Sequence, residues 1–278
     1  MADGPGKAFT LLDAYAPVEV ARRVESAGVA KAALGIVPTM ALGALAGAFI
    51  AFGSLFFLVA ITQSGLGYGI ERLIGGVCFS LGLVLVVVAG AELFTGNNLI
   101  VIAWADRKIS LKRLMRNWGL VYVANFVGAV LIAVMVVLSG TLDTADGAVA
   151  DTATRIATAK VALPFTEAFF RGVLCNALVC LAVWLAMAAH AVSGKILAIL
   201  FPITAFVAMG FEHSVANMFL IPLGMLVSTD PVAAGLTVGG FVANLVPVTL
   251  GNIVGGSVFV ALVYYVIYVR GVRSQDTP

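Results

Sequence analysis

Gly90-Ala-Glu92-Leu-Phe-Thr-Gly-Asn97 and Gly210-Phe-Glu212-His-Ser-Val-Ala-Asn217 carry one pattern, Gly-x-Glu-x-x-x-x-Asn, inside two long apolar segments. Carboxylates are costly in hydrocarbon and mark function where they occur. The segments around them, residues 73–105 and 196–229, are interrupted only by Glu92 and by Glu212 with His213. As straight helices they would each run to roughly 50 Å, against a hydrocarbon core of about 30 Å. The ionisable residues and the neighbouring Gly90, Gly96 and Gly210 place a break in each. Irregular backbone at membrane depth survives only where protein buries it or where it lines a cavity. The pattern predicts two broken membrane helices facing a pathway.

The rest of the chain agrees with a membrane setting. It is 62% hydrophobic and 11% charged, with mean hydropathy +1.09. A soluble domain is about a quarter charged. The net charge of +2 gives no nucleic-acid footprint. Cys78, Cys175 and Cys180 lie in apolar segments without metal-site spacing and read as packed thiols. No cofactor is expected. Residues 1–33 lack the n-region and h-region of a cleavable signal peptide.

Four clean spans surround the broken ones: 34–62, 117–142, 172–194 starting near Pro164, and 244–269. Six spans follow, the second and fifth broken. Lys and Arg orient them. With both termini inside, the inner set is Lys7, Arg22, Arg23, Lys31, Arg107, Lys108, Lys112, Arg113, Arg116, Lys195, Arg270 and Arg273. The outer set is Arg72, Arg155 and Lys160. Both termini are therefore expected in the cytoplasm. The outer loop 140–160 carries Asp143, Asp146 and Asp151.

The halves repeat. Pro38 and Pro164 open the first and fourth spans, and Asn125-x-x-Gly128 is echoed by Asn252-x-x-Gly255. Three spans per repeat is an odd number, so the second half must be inverted, as in many transporters. Gly43-x-x-x-Gly47 and Gly251-x-x-x-Gly255 provide close helix approaches. The expected organisation is a cytoplasmic segment 1–33, a six-helix transport domain 34–270 with repeats of about 34–142 and 162–270, and a tail 271–278. Pro17 suits the first turn of a short interfacial helix over 17–27, with Gly28 at its end.

Residues at the breaks are the candidates for transport. His213 is the histidine deep in the membrane region, and neutral imidazole both donates and accepts. His190 sits near the inner end of the fourth span. Thr95 occupies the matching first break, where its hydroxyl either meets an anion or caps the next half-helix. New helix N-termini there favour an anion. Glu92 and Glu212 read as scaffolds that satisfy backbone N–H groups, with Asn97 and Asn217 alongside. Leu93, Phe94 and Phe206 form apolar constrictions or plain core. Lys160 attracts anions or is an ordinary solvated lysine. No fixed cation sits within the breaks, and Arg171 is the cation within a span.

These residues resemble the formate–nitrite transporter family. The matching strings are Gly75-Gly-Val-Cys-Phe-Ser-Leu-Gly-Leu83, Ala91-Glu-Leu-Phe-Thr95, Asn176-Ala-Leu-Val-Cys-Leu-Ala-Val-Trp184, Gly210-Phe-Glu-His-Ser-Val-Ala-Asn-Met218 and Asn244-Leu-Val-Pro-Val-Thr-Leu-Gly-Asn252. Val24-Glu-Ser-Ala-Gly-Val-Ala-Lys31 is also similar. The resemblance implies a homopentamer of aquaporin-like protomers in a bacterial inner membrane, each with its own pore. It implies a mobile gate near 93–97, with Thr95 and His213 flanking a central chamber. Leu83, Leu93 and Phe94 would form the cytoplasmic slit, and Phe79, Val179 and Phe206 the periplasmic one. Lys160 and Asn176 would shape the outer anion funnel, and Asn217 would position the second break. Gly96 departs from the Ser or His that other members carry after the Thr.

Within the family the string most resembles formate channels, with nitrite and hydrosulfide as alternatives. An isolated anion in hydrocarbon costs tens of kcal/mol. Two routes avoid that cost: a hydrated, electropositive gap as in a channel, or a proton taken in the chamber so that the neutral acid crosses. The expected route is the second, through His213. A water or glycerol channel would carry paired Asn-Pro-Ala motifs, which this sequence lacks. An intramembrane enzyme would need convergent catalytic groups that one deep histidine does not supply. A secondary exchanger of another fold is the remaining class.

Overall fold

The computed structural model describes residues 14–271. Lys7, Arg273 and the tail beyond Gly271 lie outside the described residues. Regular structure among the described residues is helical throughout. Helix α1, Pro17–Ala33, starts on Pro17 and buries Val20, Ala21, Val24 and Ala32. It runs past the expected stop. Gly28 lies inside it, where a Cβ would come within 3.4 Å of Ile100 and Ala103. This glycine is a contact point with the segment after the first break, not a terminator.

Helices α2 (Ile36–Ile61), α3 (Tyr68–Gly90), α5 (Leu111–Leu138), α7 (Phe165–Ala188) and α10 (Val238–Arg270) are each long and apolar enough to cross a bilayer. The last turns of α3, Leu85–Gly90, are wound as a π-helix. The chain then extends through Ala91 and resumes as α4, Gly96–Ala105. At 23 residues, α3 is a full span by itself. Helix α8 (Val192–Ala208) has 17 residues and α9 (Ser214–Val227) has 14, and the second break lies between them. Ser110 caps α5 by accepting from Arg113 N–H, at 3.3 Å. Gly90 (φ +90°) and Gly210 (φ +73°) hold left-handed conformations where the breaks begin.

The segment expected as loop 140–160 contains a helix, α6, Ala148–Val161. Its buried Val149, Ala153 and Ala157 are spaced four apart, so one apolar face packs against α9. Helix α2 lies along α5 and α7 along α10. Both contacts are as close as backbones allow. A Cβ on Gly128 would sit 1.9 Å from Ala44 O, and one on Gly255 would sit 2.1 Å from Val173 O. The repeat in the sequence is thus a repeat of contacts. The core fills the space between the breaks with Ile50, Leu58, Leu83, Ile199, Val215 and Phe219.

Candidate functional site: two breaks joined across the core

The two breaks are held by matching sets of bonds that differ in one contact, the Lys31 bond to Asn97, which Lys160 does not make to Asn217. In the first, Lys31 Nζ donates to Glu92 Oε1 (2.7 Å) and Asn97 Oδ1 (3.0 Å). Asn97 Nδ2 donates to Glu92 Oε2 (2.7 Å) and Asn117 Oδ1 (3.0 Å). Asn117 Nδ2 returns to the Lys31 carbonyl at 3.3 Å. In the second, Lys160 Nζ donates to Glu212 Oε1 (2.8 Å). Asn217 Nδ2 donates to Glu212 Oε2 and Asn244 Oδ1, both at 2.7 Å, and Asn244 Nδ2 returns to the Lys160 carbonyl at 2.8 Å.

A second pair of amides holds the backbone. Asn125 donates to the Gly43 (2.8 Å) and Glu92 (2.9 Å) carbonyls and accepts from Phe94 N–H. Asn252 donates to the Gly172 (2.8 Å) and Glu212 (3.0 Å) carbonyls and accepts from Ser214 N–H. Buried backbone groups need such partners where no ladder supplies them. Arg72 adds a cap at the end of α8, donating to the Val207 (2.7 Å) and Ala208 (3.2 Å) carbonyls.

Two features correct the sequence reading. The breaks do hold cations: Lys31 and Lys160, placed outside the spans by sequence, reach the carboxylates from α1 and α6. The carboxylates bond lysine and asparagine side chains, not backbone N–H groups. Lys31, Asn117 and Asn244 were missed because each reads alone as a loop charge or an isolated amide. The signal was the repeat. Lys31 and Lys160 each precede their glycine (Gly43, Gly172) by twelve positions. Asn117 and Asn244 each precede Asn125 and Asn252 by eight.

The breaks meet at one bond: Thr95 Oγ1 lies 2.9 Å from His213 Nε2. Both residues are buried. His213 Nδ1 accepts from Ala216 N–H at 3.1 Å and caps α9. An N–H can only donate, so Nδ1 is unprotonated and a neutral ring carries its hydrogen on Nε2, toward Thr95. Thr95 makes no cap to the following helix.

A cavity opens on each side of this bond. The one beneath α6, ≈ 250 Å³, is lined by Arg72, Arg155, Lys160, Arg171, Phe206 and His213. Phe79 also lines it, edge-on to Phe206 at 5.5 Å, and Phe206 stacks 6.0 Å from the His213 ring. The cavity beneath α1, ≈ 390 Å³, is lined by Val24, Lys31, Leu83, Glu92, Leu93 and Asn97. Thr95 lines neither and is fully buried between them. The cavity beneath α6 carries four cations against Glu212, whereas in the cavity beneath α1 Lys31 is balanced by Glu92 in a mostly apolar lining.

The sequence matches a known family. The profile of formate/nitrite transporters covers residues 18–266. The chain belongs to the formate/nitrite transporter family. It is 41% identical to the formate channel FocA of Escherichia coli strain K12, over 95% of this chain and 98% of that protein. It is 45% identical to a probable formate transporter of Methanothermobacter thermautotrophicus, over 86% and 91%. Among solved structures it matches a pentameric formate channel with formate bound, at TM-score 0.78 and 38% identity, over 84% of this chain and 97% of that one. The family is one of membrane channels and transporters, not of enzymes.

In this transporter the remaining residues expected at the slits and funnel are placed as follows. Phe94 points into an aromatic cluster, 4.8 Å from Tyr122 and 6.1 Å from Trp118, and lines neither cavity. Val179 is buried in the core behind them. Asn176 is not in the cavity beneath α6. Fully buried, it donates to the Thr95 (3.2 Å) and Asn252 (2.7 Å) carbonyls, tying the first break to the helix that holds the second. Its Nδ2 finds both carbonyls only once the helices pack, which a position along the sequence does not reveal. His190, at the end of α7, stacks with Tyr15 at 3.8 Å. Cys175 and Cys180 are fully buried, and Cys180 donates to the Thr95 carbonyl.

Proposed function

We propose that this transporter moves small monovalent anions, formate foremost, through a pore in each protomer. The observation that carries the reading is the buried Thr95–His213 bond, which joins the two breaks beside a cavity lined by Arg72, Arg155, Lys160 and Arg171, with a second cavity at the first break. Formate is favoured by the relatives, a formate channel and a probable formate transporter, and by the formate-bound neighbour. The protomers assemble as a pentamer, as does the similar formate channel of known structure. The Lys and Arg distribution puts both termini, and the face that carries α1, in the cytoplasm. The similar formate channel FocA is that of a bacterium, Escherichia coli, and the membrane is the cytoplasmic one. Six spans, the fifth made of α8 and α9, complete the topology.

The anion is drawn into the outer cavity by Arg72, Arg155, Lys160 and Arg171. At the Phe79–Phe206 narrowing it loses water, and desolvation penalises its charged form. It crosses as the neutral acid, taking a proton beside His213. To give a proton from Nε2 and stay neutral, the ring must first hold two. The second comes from the outer solution through the cavity that His213 lines, and sits on Nδ1, where Ala216 N–H now bonds. Each transfer therefore releases the α9 cap, at about 1 kcal/mol. Thr95 is the other partner of Nε2, so its hydroxyl turns away when the substrate arrives and the gate opens toward Leu83 and Leu93.

Proteoliposomes with an internal pH indicator test this. Wild type is expected to take up formate together with protons. His213→Asn keeps a side-chain cap and a hydrogen bond but no relay, and is expected to lose the proton coupling. Unchanged uptake and unchanged coupling in the variant would remove His213 as the relay. Glycerol swelling without formate flux would overturn the anion reading itself.

A further inference from the structure

On the face that carries α1, the linker from α4 to α5 surrounds a recess of ≈ 500 Å³. Arg107, Lys108 and Arg113 line it, with Ser110 at the start of α5. Arg107 and Arg113 have no carboxylate within ion-pair distance among the described residues. The nearby acids are engaged elsewhere, since Glu25 and Asp106 both face the Lys108 ammonium. Arg107 holds its backbone at φ +60°. That region is uncommon for a residue with a Cβ, and such strain collects at ligand sites. With Lys108 already paired, the two guanidinium groups around one hollow repel each other unless an anion sits between them.

The rim is apolar. Trp104 is 39% exposed and Leu111 53%, and Met115 one turn on is also exposed. Tryptophan beside a polar boundary marks the level of lipid headgroups. Positive-inside topology alone asks only for cations on this face, and exposed Arg22 and Lys112 supply that without a hollow. Guanidinium groups match phosphate oxygens in paired hydrogen bonds. A basic pocket at the cytoplasmic boundary with an apolar edge suits a phosphate that carries acyl chains.

We infer that Arg107 and Arg113 form a phosphate site that takes the headgroup of an anionic phospholipid, with its chains against Trp104 and Leu111. The site lies on the linker that ends the first broken helix, so its occupant stiffens that linker.

The test uses the full-length protein in mild detergent, with thermal unfolding and native mass spectrometry against added lipid. Phosphatidylglycerol is expected to bind and raise the melting temperature, and phosphatidylcholine to do neither. Arg107→Gly with Arg113→Gln should weaken phosphatidylglycerol binding at least tenfold. Glycine accepts φ +60°, so this variant is expected to melt as wild type does without lipid. Arg22→Gln with Lys112→Gln removes equal charge outside the recess and should bind as wild type. Equal loss in both double variants would reduce the effect to a diffuse field and overturn the site. Equal stabilisation by inorganic phosphate would reassign it to a free anion. A change in the mass of the assembly with unchanged lipid binding would make the recess a subunit contact instead.

Discussion

His213 and Thr95 lie 118 positions apart, yet share one hydrogen bond, and each is fixed from behind. The Ala216 N–H sets the imidazole tautomer, and Asn176 holds the Thr95 carbonyl. The lysines behind the carboxylates set the local charge balance. Lys160 is mostly buried against Glu212, and removing one partner of such a pair leaves an uncompensated charge. Lys160→Met is expected to cost about 3 kcal/mol, and Lys160→Met with Glu212→Gln to recover much of that. Thermal unfolding in detergent checks both; an additive pair would show that the contact carries no coupling. Glu25 gives a pH prediction outside the spans. Burial raises its carboxyl above the usual range, against the pull of Lys108. A carboxyl raised in the folded state favours that state when protonated, so docking of α1 should tighten as pH falls through the raised pKa and loosen as pH rises through it. Hydrogen exchange along α1 against pH checks this, and Glu25→Gln should flatten that limb.

At the scale of helices, two of the closest approaches are set by glycines in equivalent places. Gly128→Ala and Gly255→Ala each drive a methyl group into a backbone carbonyl of the neighbouring helix. Each is expected to cost about 2 kcal/mol as overpacking, and the two costs should be similar because the contacts repeat. Gly119→Ala, with nothing within 4 Å of its Cβ, should be silent. Melting temperatures of the three variants decide it. The breaks themselves were legible as elements that could not continue: two apolar runs too long for the bilayer, each with a carboxylate and glycines. Helix α6 was not legible in that way. Its residues 148–161 carry three charges and little apolar character, so they read as a loop until α9 supplied a surface for Val149, Ala153 and Ala157.

For the molecule as a whole, the outer narrowing between Phe79 and Phe206 should set the size limit on the substrate. Phe206→Ala is expected to raise acetate flux several-fold relative to formate in proteoliposomes; an unchanged ratio would place the limit elsewhere. Light scattering on the purified protein should give the mass of five chains. What the sequence determined by itself was the class and the plan. Hydropathy demanded a membrane fold, the length of two segments demanded breaks, and an odd number of spans per repeat demanded inversion. These follow because bilayer thickness and the need to satisfy every backbone group act on composition and spacing, which the chain displays directly. Only the tertiary structure decided what fills the breaks. It brought Lys31 and Lys160 from flanking helices onto the carboxylates, turned Phe94 away into aromatic neighbours, and drew Asn176 inward to clamp two carbonyls. Those outcomes depend on which groups become neighbours once the helices pack, and the linear sequence shows that only where an internal repeat gives it away.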